Sequence, residues 1–330
     1  MELSEFLAEW HHDSPTLLVH TSGSTGSPKP LLVEKRRMEA SARITCDFLG
    51  LHEGDSALLC MPLDFIAGKM MVVRSLVRHL QLVSIPPCGH PLADEFSAIL
   101  PEPITFAAMV PMQVYNSLQV PAERERLMQI RHLIIGGGAI DASLAQQLRA
   151  FPHAVWSTYG MTETLSHIAL RRLSGPDASQ WYSPFPSVTL SLSAEGCLVI
   201  DAPLVCAERL VTNDIAELAP DGRFRILGRK DNTICSGGLK IQIEEVERLL
   251  APHLSDSFLI TKRKDEKFGE AVVLLTEGDP LEAQSVCQRV LPKHWAPRHY
   301  VRVPAIPLTA TGKPARKEAE RLAYSSINLR

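Results

Sequence analysis

Short apolar runs alternate with amphipathic runs along most of the chain, and this alternation predicts strands that alternate with helices. Residues 16–19 and 133–135 are strand-like, and the second run leads into three glycines at 136–138. Asp141 can cap a helix over 142–150, and 155–158 predict a strand that delivers residues 159–163 into a loop. This order favours a parallel α/β sheet, whose ligands gather beyond the carboxyl ends of its strands.

The pattern changes twice towards the C-terminus. Between about residues 188 and 226, alternating positions and turn sequences predict short antiparallel strands. After residue 231 follow a helix over 243–250 and strands over 257–261 and 271–275, with the charged run 262–270 as a solvated hairpin tip. We therefore predict an α/β fold with a large N-terminal domain, residues 1–230, that combines a mainly parallel sheet with a small antiparallel β subdomain. A smaller α+β domain, residues 231–330, follows.

Composition excludes several classes of protein. The 330 residues carry a formal net charge of −3, which gives no reason to expect nucleic acid or an anionic membrane as a partner. The apolar runs are too short to span a bilayer, and the N-terminus shows no secretion signal. None of the seven cysteines is in a C-x-x-C pair, which argues against a zinc site. Their odd number favours reduced thiols and a cytoplasmic location.

A loop rich in glycine and hydroxyl residues follows the first predicted strand, and it is the strongest chemical signal in the chain. Backbone N–H groups and hydroxyls of such a loop can surround phosphate oxygens, and a lysine adds a positive charge. A flexible linker is the alternative, although linkers rarely follow a buried strand directly. The sequence does not fit a Walker A loop. The candidate phosphate-binding residues are Thr21, Ser22, Gly23, Ser24, Thr25, Gly26 and Lys29.

Four further segments follow in a fixed order, and together with this loop they resemble the adenylate-forming superfamily of acyl-CoA ligases, luciferases and peptide-synthetase adenylation domains. The matching segments are residues 159–164 (YGMTET), 212–214 (TND), 228–240 (GRKDNTICSGGLK) and 307–313 (PLTATGK). The five matches extend over nearly the whole chain. Asn213 stands where the family has glycine, and asparagine is the next most tolerant residue for positive φ.

The resemblance implies a role for each matching residue. Glu163 would ligate Mg²⁺, Thr162 would contact phosphate, and Lys313 would be the catalytic lysine of adenylation. Asp214 would bind the ribose hydroxyls, Arg229 would hold ribose or phosphate, and Asp231 would be the hinge of a mobile C-terminal domain. The other implied nucleotide-binding residues are Gly137, Gly138, Ala139, Tyr159, Gly160 and Met161, and those implied to line a tunnel for the thiol are Ser236, Gly237 and Gly238.

The resemblance also shows two departures. The phosphate loop begins at Thr21, whereas in typical members it lies far into the chain, so we expect the N-terminal part of the large domain to be missing. The segment between Glu163 and Asp214 is also short. Residues 61–69 align with the family's segment beside the acyl pocket, and Phe65 takes the position of the usual histidine.

Candidate substrate-binding residues follow from that alignment. Lys69 and Arg74 lie on a predicted helix over 69–80, where either could bind a second carboxylate or form an ordinary solvated or salt-bridged face. His167 could line the acyl pocket, or it could be a buried, hydrogen-bonded histidine.

The implied activity is ATP-dependent ligation of a carboxylic acid to a thiol, with ATP, Mg²⁺ and coenzyme A as cofactors and cosubstrates. The compact length and the 159–164 segment resemble short bacterial o-succinylbenzoate–CoA ligases of menaquinone biosynthesis. Alternatives are a ligase for another aryl or short-chain acid, an enzyme that loads a carrier protein, and a non-catalytic AMP-binding sensor. We expect no nucleic acid or membrane partner, and a homo-oligomer is possible.

Overall fold

The computed structural model describes residues 1–20, 30–138, 140–309 and 314–324. Its helices are α1 (Leu3–His11), α2 (Lys35–Leu49), α3 (Ile66–Arg78), α4 (Pro111–Gln119), α5 (Pro121–Gln129), α6 (Ala142–Leu148), α7 (Ile243–Leu250), α8 (Pro280–Val290) and α9 (Arg316–Leu322). The first strands are β1 (Thr16–His20), β2 (Pro30–Glu34), β3 (Ser56–Leu59), β4 (Gln81–Ser84), β5 (Phe106–Met109), β6 (His132–Ile135), β7 (Ala154–Gly160), β8 (His167–Arg172) and β9 (Ser183–Pro184). The later strands are β10 (Thr189–Leu192), β11 (Cys197–Asp201), β12 (Leu210–Leu218), β13 (Phe224–Arg229), β14 (Thr233–Ser236), β15 (Leu239–Gln242), β16 (Phe258–Asp265), β17 (Gly269–Thr276) and β18 (His299–Arg302).

A seven-stranded, mainly parallel sheet organises the N-terminal part of the chain, as the sequence predicts. Its strand order is β4-β3-β5-β6-β7-β8-β9, in which the first five strands are parallel and β8 and β9 are antiparallel to their neighbours. Strands β3 and β5 are buried along their whole length, as expected for a sheet covered on both faces. The core beside them includes Leu58, Met109, Leu133 and Val155. The parallel strands therefore end at one common edge.

Two smaller sheets follow in the chain. Strands β10 to β13 form a four-stranded sheet in sequential order, and the turns between them contain Gly196 and Gly222 at positive φ. In the C-terminal part, β15, β14, β17 and β16 are antiparallel neighbours, and β18 pairs in parallel with β17. Helices α7 and α8 pack on one core cluster of this sheet, and α9 contributes to another.

The chain divides into two compact units. Unit 1 comprises Met1–Ser191, Val199–Leu210 and Leu218–Arg225, and unit 2 comprises Leu192–Leu198, Val211–Glu217 and the described residues from Ile226 onwards. The predicted division into domains of residues 1–230 and 231–330 stays a prediction.

Two local predictions are wrong, and long-range pairing explains both of them. Tyr159 and Gly160 lie in β7 and not in a loop, because β8 pairs with them. The charged run 262–270 is mostly strand, because β16 and β17 pair from Phe258–Thr276 to Asp265–Gly269.

The sequence predicts neither a membrane-spanning segment nor a zinc site, and the described residues bear on both predictions. Within these ranges, no helix is long and apolar enough to cross a membrane. The same ranges contain no group of three or more His, Cys, Asp or Glu side chains that could hold a metal ion. The cysteines are all free.

Candidate active site

Three of the predicted site segments lie at the carboxyl edge of the parallel strands in unit 1. They are residues 61–69 after β3, the glycines at 136–138 after β6 and residues 159–164 at the end of β7. Gly136 follows β6, and its N–H group donates a 3.0 Å hydrogen bond to the carbonyl oxygen of Met109 at the end of β5. Gly137 has a φ of 82°, and a Cβ atom added to Gly138 would lie 3.5 Å from Pro111. The backbone of this glycine loop therefore runs close to the start of α4. Ala139 lies outside the described residues.

Gly160 connects β7 to the segment that carries Thr162 and Glu163. A Cβ atom at Gly160 would lie 2.2 Å from the carbonyl oxygen of Ser166 and 2.5 Å from the Cα atom of His167, so only glycine fits. A short 3₁₀ helix covers Thr162–Thr164, where the N–H group of Met161 donates to the hydroxyl of Thr164 at 3.0 Å. This close crossing brings the chain after Glu163 back against β7.

Glu163 is exposed, whereas the neighbouring Thr162 and Thr164 are buried. In the part of the chain that the structure describes, its carboxylate has no hydrogen-bond or ion-pair partner. A magnesium ion takes one or two protein carboxylates and completes its shell with phosphate and water, so a single accessible glutamate fits the implied metal. Mg²⁺ bound there would neutralise phosphate charge.

Aromatic rings surround Tyr159, a feature that the sequence pattern does not predict. Its ring meets Phe224 edge-on at a centroid distance of 5.1 Å and Tyr182 at 5.8 Å. The Tyr182 hydroxyl is 2.8 Å from the Oγ atom of Ser157. Such contacts fix the orientation of the Tyr159 ring, as a stacking surface for a base requires.

The two basic candidates on α3 lie in different environments. Arg74 lies five positions after Lys69, so at about 3.6 residues per turn the two side chains point to different sides of the helix. Lys69 faces α1: its Nζ atom is 5.1 Å from the Phe6 ring centroid and 3.2 Å from the Met1 sulfur. Burial lowers the pKa of Lys69. Both side chains are only 2% exposed, so neither belongs to a solvated helix face.

Arg74 faces the segment that follows Glu163. Its Nη2 atom donates to the Oγ atom of Ser166 at 2.5 Å, while its buried Nε atom has no hydrogen-bond partner in the described residues. No carboxylate there forms an ion pair with it. Burial lowers its pKa to about 10, against an ordinary value of 12.5. A fully buried guanidinium without a counter-ion is costly, so Arg74 is the most unusual charged group of the candidate site.

His167 continues the hydrogen-bond chain from Arg74. Its Nδ1 atom is 3.2 Å from the Ser166 hydroxyl, and its Nε2 atom is 3.1 Å from the Thr45 hydroxyl. Burial, and then the charge of Arg74, holds the pKa of His167 well below its usual value. The imidazole is therefore neutral.

Because the imidazole is neutral, one of its nitrogens donates and the other accepts, and this sets the direction of each hydrogen bond in the chain. Thr45 donates to the carbonyl oxygen of Ser41 at 3.1 Å, so it accepts from Nε2–H of His167. Nδ1 consequently accepts from Ser166, and the Ser166 oxygen accepts from Arg74. His167 is thus a buried, hydrogen-bonded histidine that positions Ser166.

Phe65 lies at the start of α3, where a β-bridge links it to His20, the last described residue before position 21. This bridge places the predicted acyl-pocket segment next to the end of β1. The residues of the predicted phosphate loop, Thr21, Ser22, Gly23, Ser24, Thr25, Gly26 and Lys29, lie outside the described residues, and so does Lys313.

The candidates of unit 2 form two groups. In the first, Arg229 donates to the Asp214 carboxylate at 3.0 Å and to the Asp231 carboxylate at 3.1 Å. Asn213 also donates to Asp231, at 3.2 Å. The predicted ribose ligand and the predicted hinge residue are therefore joined through one guanidinium, a link that the sequence does not indicate.

The second group is the turn between β14 and β15. Ser236 is buried, and Gly237 and Gly238 are exposed with φ values of 58° and 84°. Both glycines thus occupy the left-handed region, which side chains other than glycine disfavour.

Comparison with known sequences identifies a family and several relatives of this chain. Residues 4–206 match the AMP-binding enzyme family. The 2-succinylbenzoate–CoA ligase of Geobacillus sp. (strain WCH70) is 26% identical over an alignment that covers 98% of this chain and 72% of that protein. The enzyme of the same name from Haemophilus influenzae is 27% identical over 86% of this chain and 64% of its own. The chain is therefore shorter than these relatives.

Solved structures show the same fold. The acyl-CoA synthetase (AMP-forming)/AMP-acid ligase II-like protein of Dyadobacter fermentans is 31% identical, with 95% of this chain and 91% of that chain covered and a TM-score of 0.64. The o-succinylbenzoate CoA synthetase of Bacillus subtilis, solved with ATP and magnesium, is 23% identical, with 91% and 69% covered and a TM-score of 0.74. The family match covers more than half of the chain, and the chain belongs to the adenylate-forming AMP-binding enzymes.

Proposed function

We propose that this chain is an acid–thiol ligase that converts 2-succinylbenzoate to 2-succinylbenzoyl-CoA in menaquinone biosynthesis, in the cytoplasm. The observation that supports this substrate is Arg74, a buried guanidinium beside the Tyr159–Thr164 segment that has no carboxylate partner among the described residues. The similarity to 2-succinylbenzoate–CoA ligases of other bacteria supports the same acid.

The reaction needs two displacements. A carboxylate is a poor acyl donor, so one of its oxygens first attacks the α-phosphorus of ATP and pyrophosphate leaves. The thiol then attacks the acyl carbon and AMP leaves. The first step concentrates negative charge on the phosphates, where cations and N–H donors lower the barrier most.

Each set of candidate residues would bind a different part of ATP or of the reacting groups. Residues 21–26 and Lys29 would hold the β- and γ-phosphates, Glu163 would hold Mg²⁺, and Thr162 would contact phosphate. Tyr159 and the loop of Gly137, Gly138 and Ala139 would hold the adenine. Asp214 and Arg229 would bind the ribose, and Lys313 would contact the reacting oxygens.

Arg74 would bind the carboxylate of 2-succinylbenzoate that does not react. Entry of a buried substrate carboxylate costs desolvation energy unless a cation meets it. Arg74 has already lost its hydration, so pairing with that carboxylate would neutralise two charges at once. Neutral His167 adds no competing charge, and it keeps Ser166 aligned as a neighbouring hydroxyl.

A proline at Asp231 tests the predicted hinge. Proline fixes φ near −65° and removes a donor, so Asp231→Pro is expected to retain much of the adenylate formation and to lose thioester formation. The two half-reactions are measured separately, by pyrophosphate release and by thioester formation from added acyl-adenylate. Asp231→Ala is the matched control, because it removes the contacts to Arg229 and Asn213 without constraining φ. Equal effects of both variants on both half-reactions would place the hinge elsewhere.

The proposed substrate is tested by pyrophosphate release over a panel of carboxylic acids, each with and without CoA. We expect 2-succinylbenzoate to give the highest kcat/KM, with thioester formed only when CoA is present. A preference for simple benzoates or short-chain acids would leave a general acid–thiol ligase. Release without any thioester on CoA would favour a carrier-protein acceptor, and no release with any acid would favour an AMP-binding sensor.

A further inference from the structure

A partly buried ion pair ties the start of α9 to the rest of unit 2. Helix α9 begins at Arg316, three residues after the predicted catalytic Lys313. The two Nη atoms of Arg316 donate to the two carboxylate oxygens of Glu247 on α7, at 2.7 and 2.8 Å. Its Nη1 atom also donates to the carbonyl oxygen of Ile260 on β16 at 2.9 Å. One guanidinium therefore joins the start of α9 to two other elements.

Both partners of this ion pair are fully engaged with each other and with the backbone. One carboxylate oxygen of Glu247 accepts a further hydrogen bond, from the N–H group of Ile260 at 2.9 Å. The Arg316 and Glu247 side chains are 23% and 21% exposed. Glu244 on the same helix adds a smaller attraction to Arg316, while one of its oxygens accepts from Gln242 at 2.7 Å. A two-point contact of this kind fixes the orientation of both groups, so Arg316 is suited to positioning.

The chain on both sides of Lys313 meets just before this ion pair. A β-bridge links Leu308 to Pro314, and the N–H group of Ala315 donates to the carbonyl oxygen of Pro307 at 2.9 Å. The two ends of the segment that carries the lysine therefore lie side by side. A shift of α9 would move the point from which the lysine extends.

The apolar contacts of α9 are too few to fix it alone. Ala319 and Ala323 are fully buried in a core cluster with Val301 and Val303, and Leu322 packs partly against the cluster. Two alanines bury little apolar area and interlock weakly with their neighbours. They keep the helix on the sheet, and the directional bonds of the ion pair determine how its first turn is placed.

We propose that the Arg316–Glu247 ion pair positions Lys313 for adenylate formation. This proposal rests on the proposed ligase function and on the predicted role of Lys313. A charge that stabilises a transition state must lie close to its productive position, and a displacement of about 1 Å can cost on the order of a hundredfold in rate. Arg316 would act through the lysine and would contact neither ATP nor the acid, so it is a positioning residue.

The experiment measures the effect of Arg316 with and without Lys313. Single-turnover adenylate formation, and thioester formation from added acyl-adenylate, are measured for Arg316→Met, Lys313→Ala and the double variant. We expect Arg316→Met to slow adenylate formation roughly ten- to a hundredfold, with the KM for ATP and the thioester step nearly unchanged. In the Lys313→Ala background the same substitution should cost less than about twofold, because the group that it positions is absent.

A second variant separates positioning from stability. Arg316→Met leaves the charge of Glu247 without its partner in a partly buried place, which lowers the free energy of unfolding. The double variant Arg316→Met/Glu247→Gln removes that charge and retains an acceptor for the N–H group of Ile260. Thermal unfolding should show that stability is recovered, whereas adenylate formation should remain slow. Recovery of both together would show that the ion pair serves stability only and would overturn the proposal.

Arg321→Met is the matched control, because Arg321 forms an exposed ion pair with Glu318 on the same helix. It should change neither half-reaction. Three further results would overturn the proposal: normal adenylate formation in Arg316→Met, equal losses in both half-reactions, or an undiminished loss in the Lys313→Ala background. The assays use whichever acid the wild-type enzyme activates, so a wrong substrate assignment is detected separately in the acid panel.

Discussion

Lys313→Ala is expected to lower adenylate formation by a factor on the order of 10²–10³, the usual loss for one charge contact made in the transition state. The lysine charge would stabilise negative charge that develops on the acyl and phosphate oxygens in a site that excludes water. Thioester formation from added acyl-adenylate should proceed at close to the wild-type rate, because that step would use the Ser236–Gly238 turn. Single-turnover rates of the two half-reactions measure this separation.

Lys317 offers a matched control for that substitution, because it is an exposed lysine on the neighbouring helix α9. Lys317→Ala should change neither rate. If Lys313→Ala slowed both half-reactions equally while the protein remained folded, the division of labour between the two surfaces of the C-terminal domain would be wrong.

Arg74→Met is expected to raise the KM for 2-succinylbenzoate about ten- to a hundredfold, because a charge-assisted hydrogen bond contributes roughly 1.5–3 kcal/mol. The KM for ATP should hardly change. Methionine retains much of the arginine stem but carries no charge, so the free energy of unfolding should stay constant or increase. A loss of substrate affinity without a loss of stability distinguishes substrate binding from a purely structural role.

Lys69→Met is the control for Arg74→Met, since Lys69 is buried on the same helix but faces Phe6 and Met1. It should leave the KM for 2-succinylbenzoate within about twofold of the wild-type value. If Lys69→Met alone weakened the binding of 2-succinylbenzoate, the second carboxylate would belong on the other side of α3.

The sequence correctly predicts those elements that depend on interactions between residues close together in the chain. Asp141 caps α6 through a 2.8 Å hydrogen bond from the N–H group of Leu144, as its position before an apolar, helix-forming run indicates. Helix α7 covers the predicted residues 243–250, because its apolar positions recur at helical spacing. The order of apolar and amphipathic runs also predicts the mainly parallel sheet. The family resemblance identifies candidate site residues, and the structure describes the backbone around those that lie within its ranges.

Long-range contacts decide what the sequence leaves open. Helix α3 is buried without interruption from Gly68 to Ser75, so its pattern marks no polar face and cannot separate Lys69 from Arg74. Only the return of the chain at Gly160 brings Ser166 within reach of Arg74. In the same way, Phe224 and Tyr182 are distant in sequence from Tyr159, and no local pattern associates the three rings.

The central claim is tested most directly by identifying the products of one reaction. The wild-type protein is incubated with 2-succinylbenzoate, ATP, Mg²⁺ and CoA, and the mixture is analysed by mass spectrometry and nucleotide chromatography. The account predicts 2-succinylbenzoyl-CoA, AMP and pyrophosphate in equal amounts, and no AMP when the acid is omitted. Formation of ADP in place of AMP, or no reaction with 2-succinylbenzoate while another acid yields a CoA thioester, would contradict it.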